Sequence, residues 1–299
     1  MKSFLIALAT IAVVYSNAYS QAGSAGFLIL RMGFSAKDLS LASSADAVTD
    51  EPVAVFLNPA GLSSAGRDAG TGPSFVLTHR TYVAGTTIDL FGTRFQAGGT
   101  SIGAGLLLSS VPDIEVRNVP GDPIATFSAK DFSFALGAAR KFDRLDIGIS
   151  AMYLYEKLFI YESSGYAFNA GANYSLSDNV RLGMAVGNLG TSSAMIQQKI
   201  TLPAFIRLGA SYSTKVGNDL SATGYAGLVT YKSGGITPSI GADVSFDSLI
   251  HLRAGYATGN DITGVSFGAG VHYGIFLFDY SYVPMKLDYS QTFTLSFIL

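Results

Sequence analysis

The chain has 299 residues, only 13% of them charged, with a net charge of −2, no cysteine and a mean hydropathy of +0.35. A soluble domain carries roughly a quarter charged residues, so this composition leaves a surface too poor in charge for water alone. Without cysteine there is no disulfide framework, thiol catalysis or Cys-ligated metal, and the balanced charge without basic runs argues against nucleic acid as a partner.

Residues 1–20 read as a secretory signal. Lys2 gives the positive start, 4–14 the apolar core, and Ala18-Tyr19-Ser20 a small-x-small cleavage site before Gln21. No later apolar run reaches the ~18–20 residues a transmembrane helix needs. An apolar chain of this kind still spans a bilayer as a closed β-barrel, because closure pairs every backbone group. The alternative is an apolar soluble β-sandwich.

Residues 21–72 lack a regular period. An apolar, Gly-punctuated stretch over 25–41 is followed by the small acidic stretch 45–51 with Asp46, Asp50 and Glu51. Pro52 and Pro59 break regular structure, and Asn58-Pro59-Ala60-Gly61 reads as a turn. This segment is expected to plug the lumen, its acidic turn solvated or facing the lumen rather than holding a cation.

From residue 73 onward, fourteen period-2 segments follow: 74–80, 86–96, 100–112, 127–140, 144–156, 165–176, 179–188, 203–214, 219–231, 235–246, 249–258, 262–273, 275–283 and 289–299. Most approach the ~9–11 residues of a tilted membrane strand. The last is the clearest, with Phe293, Leu295, Phe297 and Leu299 on one face and Thr292, Thr294 and Ser296 on the other. In the fifth, Leu145, Ile147, Ile149, Ala151, Tyr153 and Tyr155 face outward, and Asp146, Gly148 and Ser150 inward. Short connections alternate with mostly longer ones (111–126, 157–164, 189–202, 284–288), the pattern of periplasmic turns and extracellular loops, which places both termini in the periplasm. Tyr155, Tyr166, Tyr174, Tyr212, Tyr256 and Tyr282 near strand ends suit an interfacial girdle. The expected fold is an all-β, transmembrane antiparallel β-barrel of about 14 strands over 73–299.

An ordered set of motifs carries a resemblance. Leu30-Arg31-Met32-Gly33, Ala45-Asp46 and Phe56-Leu57-Asn58-Pro59-Ala60-Gly61-Leu62 come first. Then follow 154–157 (LYEK), 186–190 (VGNLG), Leu202-Pro203 with Arg207-Leu208-Gly209, 252–256 (LRAGY) and 280–284 (YSYVP). Together they resemble the PorV/PorQ family, a branch of outer-membrane barrels similar to the fatty-acid transporter FadL. The resemblance implies a fourteen-stranded barrel, a plug motif of Arg31, Gly33, Asp46, Asn58, Pro59, Ala60 and Gly61, and a role beside type IX secretion proteins or their secreted cargo. Two departures stand out: 34–39 (FSAKDL) replaces a more glycine-rich stretch, and the chain ends in Leu299 rather than an aromatic.

Catalytic signals are absent. There is no nucleophile elbow or phosphate loop, and Gly103-Ala104-Gly105 and Gly268-Ala269-Gly270 sit inside strand patterns. His79, His251 and His272 are far apart in sequence, without the ligand clustering a metal site needs. Neither an enzyme nor a cofactor is expected. Inward Asp146, Asp243 and Asp279 with Arg181, Arg207 and Arg253 are expected to pair with one another and with the plug rather than line a channel. Two loop regions are candidate partner contacts, one around Asp113 and Glu115 and one around Met195 and Ile196. The leading expectation is therefore a non-enzymatic, secretion-associated barrel. The alternative is a FadL-like transporter of fatty acids or other hydrophobic small molecules, with an apolar pocket at Phe27, Leu28, Leu30, Val55 and Phe56. An open porin ranks third.

Overall fold

The computed structural model describes residues 26–64, 72–195, 198–232, 234–259, 264–286 and 288–299. Residues 1–20, expected to be a signal, and Ile196 lie outside these described residues.

Fourteen antiparallel strands close into one barrel. They are β1 (Ser74–Thr81), β2 (Thr87–Ala97), β3 (Thr100–Val116), β4 (Ala125–Phe142), β5 (Leu145–Leu158), β6 (Tyr161–Ser175) and β7 (Val180–Ser192). The second half comprises β8 (Phe205–Val216), β9 (Leu220–Tyr231), β10 (Ile236–Phe246), β11 (Ile250–Ala257), β12 (Val265–Tyr273), β13 (Phe276–Pro284) and β14 (Tyr289–Ile298). The terminal strands seal the wall, with Ser74 opposite Ile298 and Thr81 opposite Gln291. All fourteen segments read from the sequence period are therefore strands of one sheet, within a few residues at each end.

The alternation sorts side chains by solvent. On β5, Ile147 and Ile149 point outward, Ile149 with 63% of its surface uncovered, while Asp146 and Ser150 are buried inward. Leu252, Ile240, Phe267 and Phe278 continue the apolar exterior round the later strands. A broad apolar exterior with a polar, buried inner face is a barrel bathed in hydrocarbon. A soluble sandwich would place these same side chains inside.

Strand heights are uneven. β3 and β4 have 17 and 18 residues, whereas β11 has 8. The expected loops 111–126 and 157–164 are shorter than the sequence suggested. The β3–β4 ladder continues across a bulge between Val111 and Ile114 up to Val116 opposite Ala125. Between β5 and β6, Leu158 pairs with Tyr161, leaving a two-residue turn. The β3–β4 and β5–β6 connections share one end of the barrel, its upper end.

Residues 26–64 run inside the barrel as short helical turns: α1 (Ala36–Ser40), α2 (Ala54–Leu57) and α3 (Gly61–Ser64). Ser35 caps α1, its Oγ accepting the Asp38 N–H at 3.1 Å. The inner segment and wall are tied by hydrogen bonds from Ala36 N–H to Thr294 Oγ1 (2.9 Å), Ser266 Oγ to the Ser40 carbonyl (2.9 Å) and Ser150 Oγ to the Val55 carbonyl (2.7 Å).

Glycine lets the wall come this close. Every strand from β2 to β12 turns a glycine inward at a point where an added Cβ would strike residues 40–62: Gly92 at Pro52, Gly105 at Phe56, Gly137 at Val55 and Gly148 at Pro59-Ala60. The series continues with Gly171 at Asn58, Gly183 and Gly209 at Ala47, Gly227 at Ser44, Gly255 at Leu41 and Gly268 at Ser40. Gly241, also on this girdle, meets Leu41 and Ser44. At Gly148, Gly183, Gly227 and Gly255 the added atom would meet the inner backbone itself and hold it away from the sheet.

Candidate functional site

The inner segment divides the lumen into a polar and an apolar side. On the polar side, Arg253 of β11 bridges two carboxylates, its Nε donating to Asp243 at 2.7 Å and its Nη1 to Asp279 at 2.5 Å. Gly270 leaves the room this guanidinium occupies. His251 approaches Asp243 at 3.0 Å and His272 approaches Asp279 at 3.3 Å. The two imidazoles are not remote from each other, as their separation in sequence implied: adjacent strands stack them with ring centroids 4.1 Å apart. Among the described residues, no group of three or more His, Cys, Asp or Glu is arranged to hold a metal ion. Arg181 reaches Asp146 at 3.5 Å, and Arg207 reaches Asp46 of the inner segment at 3.3 Å. Asp146, Asp243 and Asp279 with Arg181, Arg207 and Arg253 therefore pair with each other or with the inner segment, satisfying buried charge in place.

The inner segment adds its own pairs. Lys37 meets Asp50 at 2.9 Å, and Ser35 Oγ donates to Glu51 at 2.6 Å. Burial pushes the Asp46 carboxyl up to about 6, the neighbouring Arg207 charge limiting the rise. Burial also holds Asp38 well above the usual carboxylate range, reinforced by the charges of Asp46 and Glu51.

On the apolar side, Phe27, Leu30, Val55 and Phe56 pack in one continuous cluster with Phe34 and Leu57 of the inner segment. Wall residues Leu90, Leu107, Met152, Leu154 and Ala167 complete it. The residues named as a hydrophobic pocket are thus brought together, except Leu28, which stands 50% exposed at the upper mouth. Phe34 and Phe56 rings lie 5.4 Å apart. Leu202 also enters the cluster, from the connection between β7 and β8, with Ile200 packed against it.

That connection lies where the wall changes register. The β6–β7 pairing shifts between Phe168 and Ala170, and Asn188 adopts φ 54°. Its N–H donates to Asn169 Oδ1 at 2.7 Å and its Nδ2 to the Pro203 carbonyl at 3.0 Å. The 186–190 and Leu202-Pro203 motifs thus build one joint. Ser192 Oγ fastens the Ile200 carbonyl at 3.0 Å, holding the connection over the cluster.

The plug-motif residues occupy distinct places. Arg31 stacks over the Tyr231 ring at 4.6 Å, and the Gly33 carbonyl accepts from Arg80 at 3.2 Å. Asn58 donates to the Ala47 carbonyl at 2.6 Å, and its Oδ1 accepts the Ala60 N–H at 3.2 Å, which closes the Asn-Pro-Ala-Gly turn. Pro59 and Ala60 abut Gly148, and Gly61 lies under the Thr49 carbonyl. Of the loop candidates, Asp113 sits at φ 53° in the β3 bulge and Glu115 within the ladder, its carboxylate paired with Arg117 at 2.6 Å. These two are strand residues of a tall hairpin, not loop residues. Met195 belongs to a two-residue ladder with Gln198.

Two features were not read from the sequence. The glycine girdle leaves no mark on the strand period, because its target is a segment dozens of residues away. The inward pair Asp131 and Glu156 at the upper mouth needs register, which a single sequence does not supply.

No family model and no curated protein matches the chain. Solved structures do. The toluene transporter TodX of P. putida is similar with a TM-score of 0.60 at 12% identity, covering 89% of this chain and 99% of that one. The Ralstonia pickettii toluene transporter TbuX gives 0.56 at 14% identity, with 88% and 97% covered. The monoaromatic hydrocarbon channel CymD gives 0.58 at 12% identity, with 88% and 96% covered. At these identities the likeness is one of fold: a closed fourteen-stranded barrel of the kind these hydrocarbon transporters share.

Proposed function

We propose that this protein is a non-enzymatic outer-membrane barrel of FadL-like type that takes up small hydrophobic molecules. Its plug is the inner segment, and both termini face the periplasm. The observation that carries this is the apolar cluster of Phe27, Leu30, Val55 and Phe56 against Leu107 and Leu154, in a lumen that elsewhere holds the Arg253, Asp243 and Asp279 charges. These side chains close on one another and only Leu28 at the mouth is exposed, so an apolar guest would enter there by displacing part of this packing and be held by the same nonpolar contacts. The fold shared with toluene and monoaromatic hydrocarbon carriers supports this reading over the secretion role that the motif resemblance implied. The test is binding of a monoaromatic hydrocarbon to the purified barrel, with Leu30→Trp filling the site. Binding that Leu30→Trp abolishes, while the barrel stays folded, supports the proposal; no binding by the native protein ends it.

Partner docking is a second reading, favoured by the tall β3–β4 and β5–β6 hairpins, where Val119 and Ile160 stand exposed. Such a barrel would recover a secretion component or cargo on co-purification and lose it when 189–202 is shortened. Unchanged secretion after deletion of the protein would remove this reading.

A further inference from the structure

Asp131 on β4 and Glu156 on β5 are direct cross-strand partners. Both fall on the inward alternation, two residues above the buried Ser133 and Leu154, and both are half-buried. Side chains opposite one another on antiparallel strands have Cβ atoms ~4.5–5.5 Å apart, and like charges there oppose pairing. The nearby lysines do not neutralise them. Lys130 and Lys157 each sit one residue along, on the outward faces, and Lys157 is engaged with Glu162 at 2.9 Å. Even with one proton shared between them, two such carboxyls keep a negative charge.

This acidic pair stands at the entrance to the apolar cluster. Glu156 Oε2 accepts the Phe27 N–H at 2.9 Å, and Leu154, the next inward residue below it, packs in the same cluster as Phe27. Gly26 lies between Glu156 and Ile200, where a Cβ would touch both side chains. An amphiphile seated with its tail among Phe27, Leu30 and Leu154 from the upper mouth would set its head group beside Asp131 and Glu156.

We propose that Asp131 and Glu156 are specificity-determining residues that restrict the site to neutral hydrophobic molecules and reject anionic amphiphiles such as fatty carboxylates. This rests on the cluster being a site for hydrophobic molecules, and it narrows that site's substrate class. Like charges ~5 Å apart at an effective dielectric of ~20 amount to tenfold discrimination or more.

A matched pair of probes separates charge from chain length: 1-octanol and octanoate, bound to the full chain in nanodiscs with empty nanodiscs subtracted. The native protein should bind octanol at least about tenfold more tightly than octanoate. The double variant Asp131→Asn, Glu156→Gln keeps an acceptor for the Phe27 N–H, and it should raise octanoate affinity about tenfold while leaving octanol unchanged. Equal binding of both probes by the native protein, or no gain for octanoate in the variant, overturns the charge selection while leaving the hydrophobic site standing. Absence of octanol binding by the native protein overturns the site itself. Heat-dependent gel mobility confirms that the variant is folded.

Discussion

Arg207 of β8 reaches Asp46 of the inner segment at 3.3 Å, and the two side chains are 6% and 3% exposed. Arg207 also donates to the Leu57 carbonyl at 3.4 Å, so one guanidinium fixes two turns of the inner segment to the wall. Arg207→Ala would leave a buried, uncompensated carboxylate, which costs ~3–5 kcal/mol. Adding Asp46→Asn should recover part of that loss, because the stranded charge is gone. Urea unfolding of the refolded barrel measures both; strictly additive losses would show that the pair does not couple.

The same carboxylate gives a pH dependence. Its folded-state value, raised by burial to about 6, exceeds the 3.8 of the free side chain, so the folded form holds the proton more tightly. The stabilisation is therefore complete below about pH 3.8 and is lost as pH rises through about 6. Asp38, raised by the same cause, acts in the same direction. Thermal unfolding between pH 4 and pH 7 should show the native protein weakening toward neutral pH and Asp46→Asn weakening less. An identical slope in the two proteins would count against it.

Gly148 has the Pro59-Ala60 backbone where a Cβ would go, whereas Gly224 has nothing within 4 Å. Gly148→Ala should destabilise by at least ~1–3 kcal/mol, the usual range for overpacking, and expose the inner segment to protease. Gly224→Ala should do neither. Similar proteolysis of the two variants would mean that the girdle does not hold the segment.

Leu252 points outward from β11 with 62% of its surface uncovered. Leu252→Arg should cost ~2–4 kcal/mol in reversible folding into lipid, the range for a cation near the bilayer midplane. An unaffected midpoint would place this face outside the hydrocarbon.

The strands were legible because each residue's side reports its solvent: Ile147 and Ile149 against Asp146 and Ser150 repeat a contrast that survives any uncertainty about the ends. The hairpin heights were not. Pro112-Asp113 looks like a loop start, yet the bulge absorbs it and pairing resumes at Ile114. Phe159, at φ 57° in the β5–β6 turn, is no turn-forming residue by type. The pairing of inward charges followed from the cost of isolating them. Which arginine takes which aspartate depends on register, as do the His251–His272 stack and the Asp131–Glu156 pair.

The bond from Ala36 to Thr294 joins positions 258 residues apart, and Thr294 lies on the strand that seals the cylinder against β1. Glycines from β2 to β12 bring the enclosed segment against the wall on eleven strands, so threading it into a finished cylinder would mean sliding it past all of these close approaches. Assembly must therefore gather the amino-terminal residues into the half-built sheet before the seam shuts. Any circular rearrangement that delays their arrival should yield empty, unstable shells.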